Sequence, residues 1–296
     1  MMFPGQSYRI PVLVADQKGY FKDANIEISS VPQPNNMQGV QALISTKSQV
    51  GIMSTPTEVQ AVVAGSKAKM FCGGMNVLQS TLIAKAGSSI PSTFDGASWD
   101  DVIKGLSGKK IGSQTPVGSG LQILLQKALE ESGATNLTFV NIGGGNDLTM
   151  AALNKGTVDV AVSNPPGTQA LTIDNSVKPL AYPAEHSKTY GLYGSAFTAP
   201  TEWLESKPET AKAFCDAIDR ALTYSKDPKN AAEVAGIYAK DSGLDVKVAT
   251  KVVTDTLGDF STELPEAKLK ETFDAYVTLG VVPSNPGYDA MVAPAK

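Results

Sequence analysis

The chain reads as an α/β protein with two domains of like design and a helical segment after them. Three observations carry that reading. Short strands feed helices through tight polar loops, most clearly from Lys109 to Leu129, KKIGSQTPVGSGLQILLQKAL. Two distant stretches echo each other: NNMQGVQALISTKSQVGIMSTPTEVQAV from Asn35 and GNDLTMAALNKGTVDVAVSNPPGTQAL from Gly145. The echo aligns Ala42-Leu43 with Ala152-Leu153, and the Ser-x-Pro at Ser54 with that at Ser163. Finally, 296 residues exceed one ordinary core and suit two.

The elements follow in order. Residues 8–21 predict a helix, with Pro11 in its first turn and Ile10, Leu13, Val14, Tyr20 and Phe21 on its apolar face. Residues 26–31 alternate as a strand, and Asn35 and Asn36 cap a helix running to Ile44. Residues 50–53 form a short strand, and Ser54-Thr55-Pro56 starts a helix that Gly65 ends. Strands are expected over 69–75 and 80–85. The stretch 86–98, rich in Gly, Ser and Pro, reads as a crossing between domains.

The rhythm then repeats: helix 99–106, strand 110–112, helix 118–132, strand 137–142, helix 146–153, strand 158–162 and a helix from Pro165-Pro166 to Ile173. Thr115-Pro116 is read as the start of the helix after strand 110–112. Beyond Pro200 only helices are expected, over 208–224, 230–239, 245–256 and 265–279, before a proline-bearing tail along the surface.

Composition narrows the function. Lys and Arg total 25 against 29 Asp and Glu, and Arg9 and Arg220 are the arginines, which argues against a nucleic-acid surface. No apolar run approaches a membrane span. A single histidine, His186, and two cysteines without a C-x-x-C cannot build a zinc cluster, so no metal and no cofactor are expected. The apolar surroundings of Cys72 and Cys215 favour two buried thiols over a disulfide. The start MMFPGQSYRIPV has no signal-peptide pattern and resembles the end of a strand, as if residues upstream had been removed.

Ligands of open α/β sheets bind where strands run into helices. Those loops here are 4–8, 54–57, 114–120, 143–147 and 163–167. They offer Gln, Ser, Thr, Asn and Gly with almost no charge, which suits an oxyanion held by neutral donors and helix N-termini. The loop 114–120 lacks the lysine of a nucleotide-binding P-loop, and its glycines miss the dinucleotide spacing. Arg9, the cation nearest the first loop, reads as an exposed first-turn side chain. There is no G-x-S-x-G, and His186 has no nucleophile or metal partner, so no catalytic residue is assigned. Tyr190, Tyr193 and Phe197 form either core packing or an aromatic wall over a ligand.

These motifs resemble the periplasmic solute-binding proteins of ABC importers, in particular the NMT1/THI5-like branch of sulfonate, nitrate, taurine and pyrimidine-precursor binders. The resemblance is carried by Val14-Ala15 with KGYFKDANIEI from Lys18, by Ala42-Leu43 and VGIMS from Val50, and by LSGKKIG from Leu106. Gly118-Ser119, AALNKGTVDVAV from Ala151 and the proline-marked helix start complete it. It spans Gly5 to about Leu279.

It implies a type II binding-protein fold: lobe 1 over 1–82 and 196–296, lobe 2 over 83–195, two hinge crossings and a C-terminal helical extension. The implied function is capture of a small organic anion, a sulfonate or carboxylate and aromatic acids among them, in an interlobe cleft that closes about the hinge. The implied partners are ABC permease subunits, with no nucleic acid. A monomer is expected, periplasmic or lipid-anchored. The implied ligand loops fall on Gln6, Ser7, Tyr8, Ser54, Thr55, Gly118, Ser119, Gly145 and Asn146, and the residue reading adds Thr115, Asn164 and Tyr193. Asn164-Pro165-Pro166-Gly167 stands where sulfonate binders of this type carry Asp-Pro-Trp-like aromatics, which implies a roomier pocket for a larger acid.

The cysteine-rich motif of the yeast pyrimidine-making enzymes is absent, and the expectation is a binder that does no covalent chemistry. The alternatives are a two-lobed enzyme resembling menaquinone-pathway lyases and dehydratases, and a regulator's ligand-sensing domain.

Overall fold

The computed structural model describes residues 2–3, 7–29, 31–32, 42–43, 45 and 48–293. The strands among them are β1 (Met2–Phe3), β2 (Val31–Pro32), β3 (Gly51–Ser54), β4 (Ala68–Met75), β5 (Thr81–Lys85), β6 (Lys110–Ser113), β7 (Thr138–Asn141), β8 (Val160–Ser163), β9 (Val177–Ala181) and β10 (Ser195–Pro200). They form two five-stranded sheets, ordered β2-β1-β3-β10-β4 and β7-β6-β8-β5-β9. The chain divides accordingly. Unit 1 comprises Met1–Asn76, Tyr193–Val277 and Val282–Lys296; unit 2 comprises Val77–Leu192 and Thr278–Val281.

The echo in the sequence is an echo in topology. β1, β2 and β3 hold the same places in their sheet as β6, β7 and β8 in theirs. In both sheets the first member of the trio pairs in parallel with the other two. The fourth strand, β10 or β5, is antiparallel to both neighbours, and it is the first strand after the chain passes from one unit to the other. The chain passes between the units at 76/77 and 192/193, before the expected 82/83 and 195/196, and Thr278–Val281 of the helical segment also belongs to unit 2.

Helices cover these sheets. Unit 1 holds α1 (Ile10–Gln17), α2 (Tyr20–Asp23) and α3 (Thr55–Val63). Unit 2 follows with α4 (Trp99–Leu106), α5 (Gly120–Glu131), α6 (Asn146–Asn154), α7 (Gly167–Ile173) and α8 (Pro183–His186). The helical segment is α9 (Thr201–Ser206), α10 (Pro208–Lys226), α11 (Ala231–Ser242), α12 (Val246–Thr256), α13 (Glu266–Thr278) and α14 (Tyr288–Met291).

Unit 1 is packed around Phe214 of α10. Its ring lies 5.3 Å from Phe21, 5.7 Å from Phe71 and 5.3 Å from Phe197, drawing α2, β4 and β10 together. Beside it Cys72 and Cys215 form a disulfide, with Cα atoms 5.7 Å apart. This corrects the expectation of two thiols: apolar burial is compatible with either state, and the β4–α10 contact brings the two residues within bridging distance. In unit 2, Leu153 of α6 and Leu171 of α7 close over Ile83 and Ala161 of the sheet.

Other expectations shift for local reasons. The helix 8–21 is a 3₁₀ turn at Ser7–Arg9, then α1 and α2, broken at Gly19, whose φ of 75° leaves the helical region. Residues 26–29 are irregular, and Val31–Pro32 pairs with β1. Most of the helix expected from Asn35 lies outside the described residues; Ala42 and Leu43 are helical. The stretch 86–98 is not a crossing. It packs along β9, with Ser92 Oγ donating to Pro179 O at 2.7 Å and Lys178 Nζ to Ile90 O at 2.9 Å. β9 and β10 were not foreseen as strands. The tail bridges Met70 of β4 at Val292.

Candidate functional site

The loops singled out in the sequence leave the carboxyl ends of the trio strands, in each unit by itself. In unit 1, Ser54 closes β3 and begins α3. Its side chain does not cap the helix; Ser54 Oγ pairs with Thr57 Oγ1 at 2.9 Å. Thr55 is fully buried, its amide donating to Gly194 O at 2.9 Å, while its Oγ1 has no partner among the described residues. Ser7 is buried and Tyr8 half-buried in the 3₁₀ turn before α1. Gln6 lies outside the described residues. Arg9 turns to Asp241 of α11 at 2.7 Å, so its charge is spent on an ion pair, not held out as an exposed side chain.

Unit 2 brings three loops to one end of its sheet. After β6, Ser113, Thr115 and Ser119 form a hydroxyl chain with 3.0 Å links at Thr115 Oγ1. Gly118, at a φ of 87° that favours glycine, donates its amide to Gln122 Oε1 at 2.8 Å. The helix starts at Gly120, not at Thr115-Pro116. Ser119 takes the N-cap position, yet its hydroxyl is turned to Thr115 and caps nothing. The next loop is tied to this one by Gln114 Nε2 donating to Thr149 Oγ1 at 3.3 Å. Thr149 Oγ1 in turn donates to Gly145 O at 2.9 Å, and Gly145 begins α6 without a side-chain cap. After β8, Asn164 Oδ1 accepts from Ser80 Oγ at 2.8 Å. A Cβ on Gly167 would stand 2.3 Å from Asn146 Oδ1, so the glycine lets the second and third loops meet. Ser163 and Thr168, both buried, have hydroxyls with no partner among the described residues.

Thr115, Gly118, Ser119, Gly145, Asn146 and Asn164 are thus gathered at the loop end of unit 2, and Ser54 and Thr55 at that of unit 1. Asp147 is the sole ionisable residue of 54–57, 114–120, 143–147 and 163–167. α3, α5 and α6 begin with no side-chain cap, as do α1, α2, α7–α11 and α14, while Ser98 and Asp245 cap α4 and α12. The positive end of a helix dipole suits an anion.

Tyr193 is not on this rim. It is 1% exposed inside unit 1, with its hydroxyl donated to Glu263 O at 2.9 Å and its own amide to Thr272 Oγ1 at 3.2 Å. Tyr190 is buried in unit 2, which pushes its phenol up to about 12 against a hydrogen bond with Ser80. His186 is exposed and stacks on Trp99 at 4.9 Å. No cluster of metal-ligating side chains occurs among the described residues.

Two supporting residues escaped the sequence reading. Gln122 is buried in the first turn of α5, where an amide stood out in an otherwise apolar face. Glu58 is buried in the first turn of α3. Burial pushes its carboxyl up to about 8, against the Thr198 hydrogen bond that pulls it down. The signal was a carboxylate one residue before Val59 in an apolar run.

Known proteins share this architecture. The aliphatic sulphonate-binding protein SsuA from Escherichia coli, a periplasmic protein, superposes with a TM-score of 0.77 at 16% identity, over 100% of this chain and 91% of that one. The alkanesulfonate-binding protein SsuA from Xanthomonas axonopodis pv. citri, bound to MOPS, gives 0.76 at 19%, over 96% and 93%. These likenesses show the two-sheet binding-protein fold.

A curated relative is 24% identical over 229 residues, 73% of this chain and 63% of its own length: the 4-amino-5-hydroxymethyl-2-methylpyrimidine phosphate synthase of Candida albicans (strain WO-1). The chain spans about three fifths of the length of the curated relatives it matches. That relative is named as an enzyme, which conflicts with the expectation that this chain is a binder that does no covalent chemistry. A missing cysteine motif was too narrow a ground for it. The family model described as NMT1/THI5 like matches residues 6–231, most of the chain and all of the described loops above. The chain belongs to the NMT1/THI5-like family.

Proposed function

We propose that this chain is the solute-binding component of an ABC importer and that its cargo is a small organic anion, a sulfonate or carboxylate. The observation that carries the reading is the loop end of unit 2. Hydroxyls and amides converge there at helices whose first turns no side chain caps, with Asp147 the one charge in the three loops. Neutral donors of this kind bind an oxyanion without locking it in place by a full counter-charge. The binding-protein neighbours support the transport role, with permease subunits as partners. The Cys72–Cys215 bridge and the periplasmic neighbour support an oxidising compartment outside the cytoplasm.

The curated relative favours a second reading, an enzyme acting on a pyrimidine or its precursor. One experiment separates the two. Thermal-shift titration with alkyl sulfonates, nitrate, aromatic acids and pyrimidine precursors identifies ligands, since a solute at ~100 times its Kd adds about 2.7 kcal/mol to stability. Each hit is then incubated with protein and followed by chromatography. An anion that stabilises and is recovered intact supports the binder; a hit that is consumed supports the enzyme.

A further inference from the structure

Two of the large apolar side chains that stand in solvent belong to the loop end of unit 2: Val117, 59% exposed, and Leu148, 51% exposed. Val117 lies two residues before Ser119, next to the exposed Pro116. Leu148 lies two residues after Asn146, in the first turn of α6. Their loops leave adjacent parallel strands, with Ser113 of β6 opposite Asn141 of β7, and the Gln114–Thr149 hydrogen bond ties them. Leu148 reaches back over the preceding turn: a Cβ on Gly143 would stand 2.8 Å from Leu148 Cδ1.

We propose that Val117 and Leu148 are specificity-determining residues that take the hydrocarbon body of the anion whose head the neighbouring amides and hydroxyls bind. The inference rests on the solute-binding reading and names the class of solute: an organic acid with an alkyl or aryl body, not a bare inorganic oxyanion. Donors alone would serve nitrate or sulfate as well. Exposed aliphatic side chains interleaved with those donors gain only from a ligand with apolar surface to cover them.

The test is calorimetry with the straight-chain alkanesulfonates from methyl to octyl, on the wild type and on Val117→Ser, Leu148→Ser and the double variant. Both side chains are exposed, and melting curves verify that the variants fold. The wild type is expected to bind more tightly along the series, by up to about fourfold for each methylene covered. The double variant is expected to lose most of that dependence, so that its octyl-to-methyl affinity ratio falls at least tenfold below the wild-type ratio. An unchanged ratio in the double variant overturns the assignment while leaving the binder intact. A wild type that binds none of the sulfonates, nor the matching carboxylates, overturns the solute-binding reading itself.

Discussion

Thr198 Oγ1 of β10 donates a 2.8 Å hydrogen bond to Glu58 Oε1 of α3, and the other oxygen of that buried carboxyl has no partner among the described residues. A charged carboxylate in that position would lack solvation on one side, and the carboxyl accordingly keeps its proton to about pH 8. Its pKa is raised above the ordinary value of 4.5, so between these pH values the folded state holds a proton that the unfolded state releases. The contribution to stability is full below about pH 4.5 and is lost as pH rises to about 8, at ~1.4 kcal/mol per pH unit. Glu58→Gln keeps an acceptor for Thr198 and cannot ionise. Its melting temperature should match the wild type near pH 4.5 and exceed it increasingly toward pH 8. A constant difference across that range would mean that Glu58 is ionised in the folded protein.

How much of this could be read in the sequence depended on periodicity. The strand-loop-helix units around Ile111 and Ile52 were legible, because a short apolar strand, a polar turn and an amphipathic helix each leave a local pattern. So was the internal repeat, since Ser54 and Ser163 end equivalent strands. β9 and β10 were not. Val177–Ala181 contains Pro179, and Ser195–Pro200 is built of small residues, so both owe their conformation to neighbours distant in sequence. Of the candidate site, the residue types at the loop ends were readable, but the turning of Ser119 away from its own helix was not, because only packing decides which partner a hydroxyl takes. Tyr193 shows the converse: an aromatic at a domain join has the composition of a ligand wall, and long-range contacts with Glu263 and Thr272 decide its place.

The Cys72–Cys215 bridge closes a sequence separation of 143 residues between β4 and α10, both of unit 1, with residues 77–192 of unit 2 inside the loop. Chain-entropy reasoning for a loop of that length gives up to about 5 kcal/mol, an upper figure, since the unfolded chain retains structure. Cys72→Ser with Cys215→Ser should therefore melt many degrees lower than the wild type, and dithiothreitol should lower the melting point of the wild type alone. Titration of unreduced, denatured wild type with a thiol reagent should find no free thiol. Two reactive thiols in that assay would refute the bridge.

Gly73 is fixed by a close approach. Its amide donates to Thr262 O at 2.8 Å, and a Cβ there would stand 2.3 Å from Glu263 O and 2.5 Å from Ser261 O. Those are backbone atoms of the segment that pairs along the edge of β4, where Ser261 N donates to Gly74 O at 3.0 Å. Gly73→Ala must push the segment outward and strain that pairing, together with the Tyr193 hydrogen bond to Glu263 O. A loss of about 2–4 kcal/mol is expected in urea unfolding. A loss below ~0.5 kcal/mol would show that the 261–263 segment yields freely.

Ser119 offers a variant in which stability and binding should move in opposite directions. It stands at the N-cap of α5 in extended conformation, φ −70° and ψ 153°, the geometry from which a side chain can reach the first-turn amides, but its hydroxyl goes to Thr115 Oγ1 instead. Ser119→Asp would place a carboxylate within reach of those amides and in favourable interaction with the helix dipole, a gain of about 0.5–1 kcal/mol in the unliganded protein. The same carboxylate would take the donors that an anionic ligand needs and would repel it. The expected result is a melting point at or above that of the wild type, with affinity for the cognate anion at least 100-fold weaker, an effect of ~2.7 kcal/mol. A helix stabilised without loss of affinity would place the anion away from α5, and the ligand head would then have to be sought at the starts of α3 and α6.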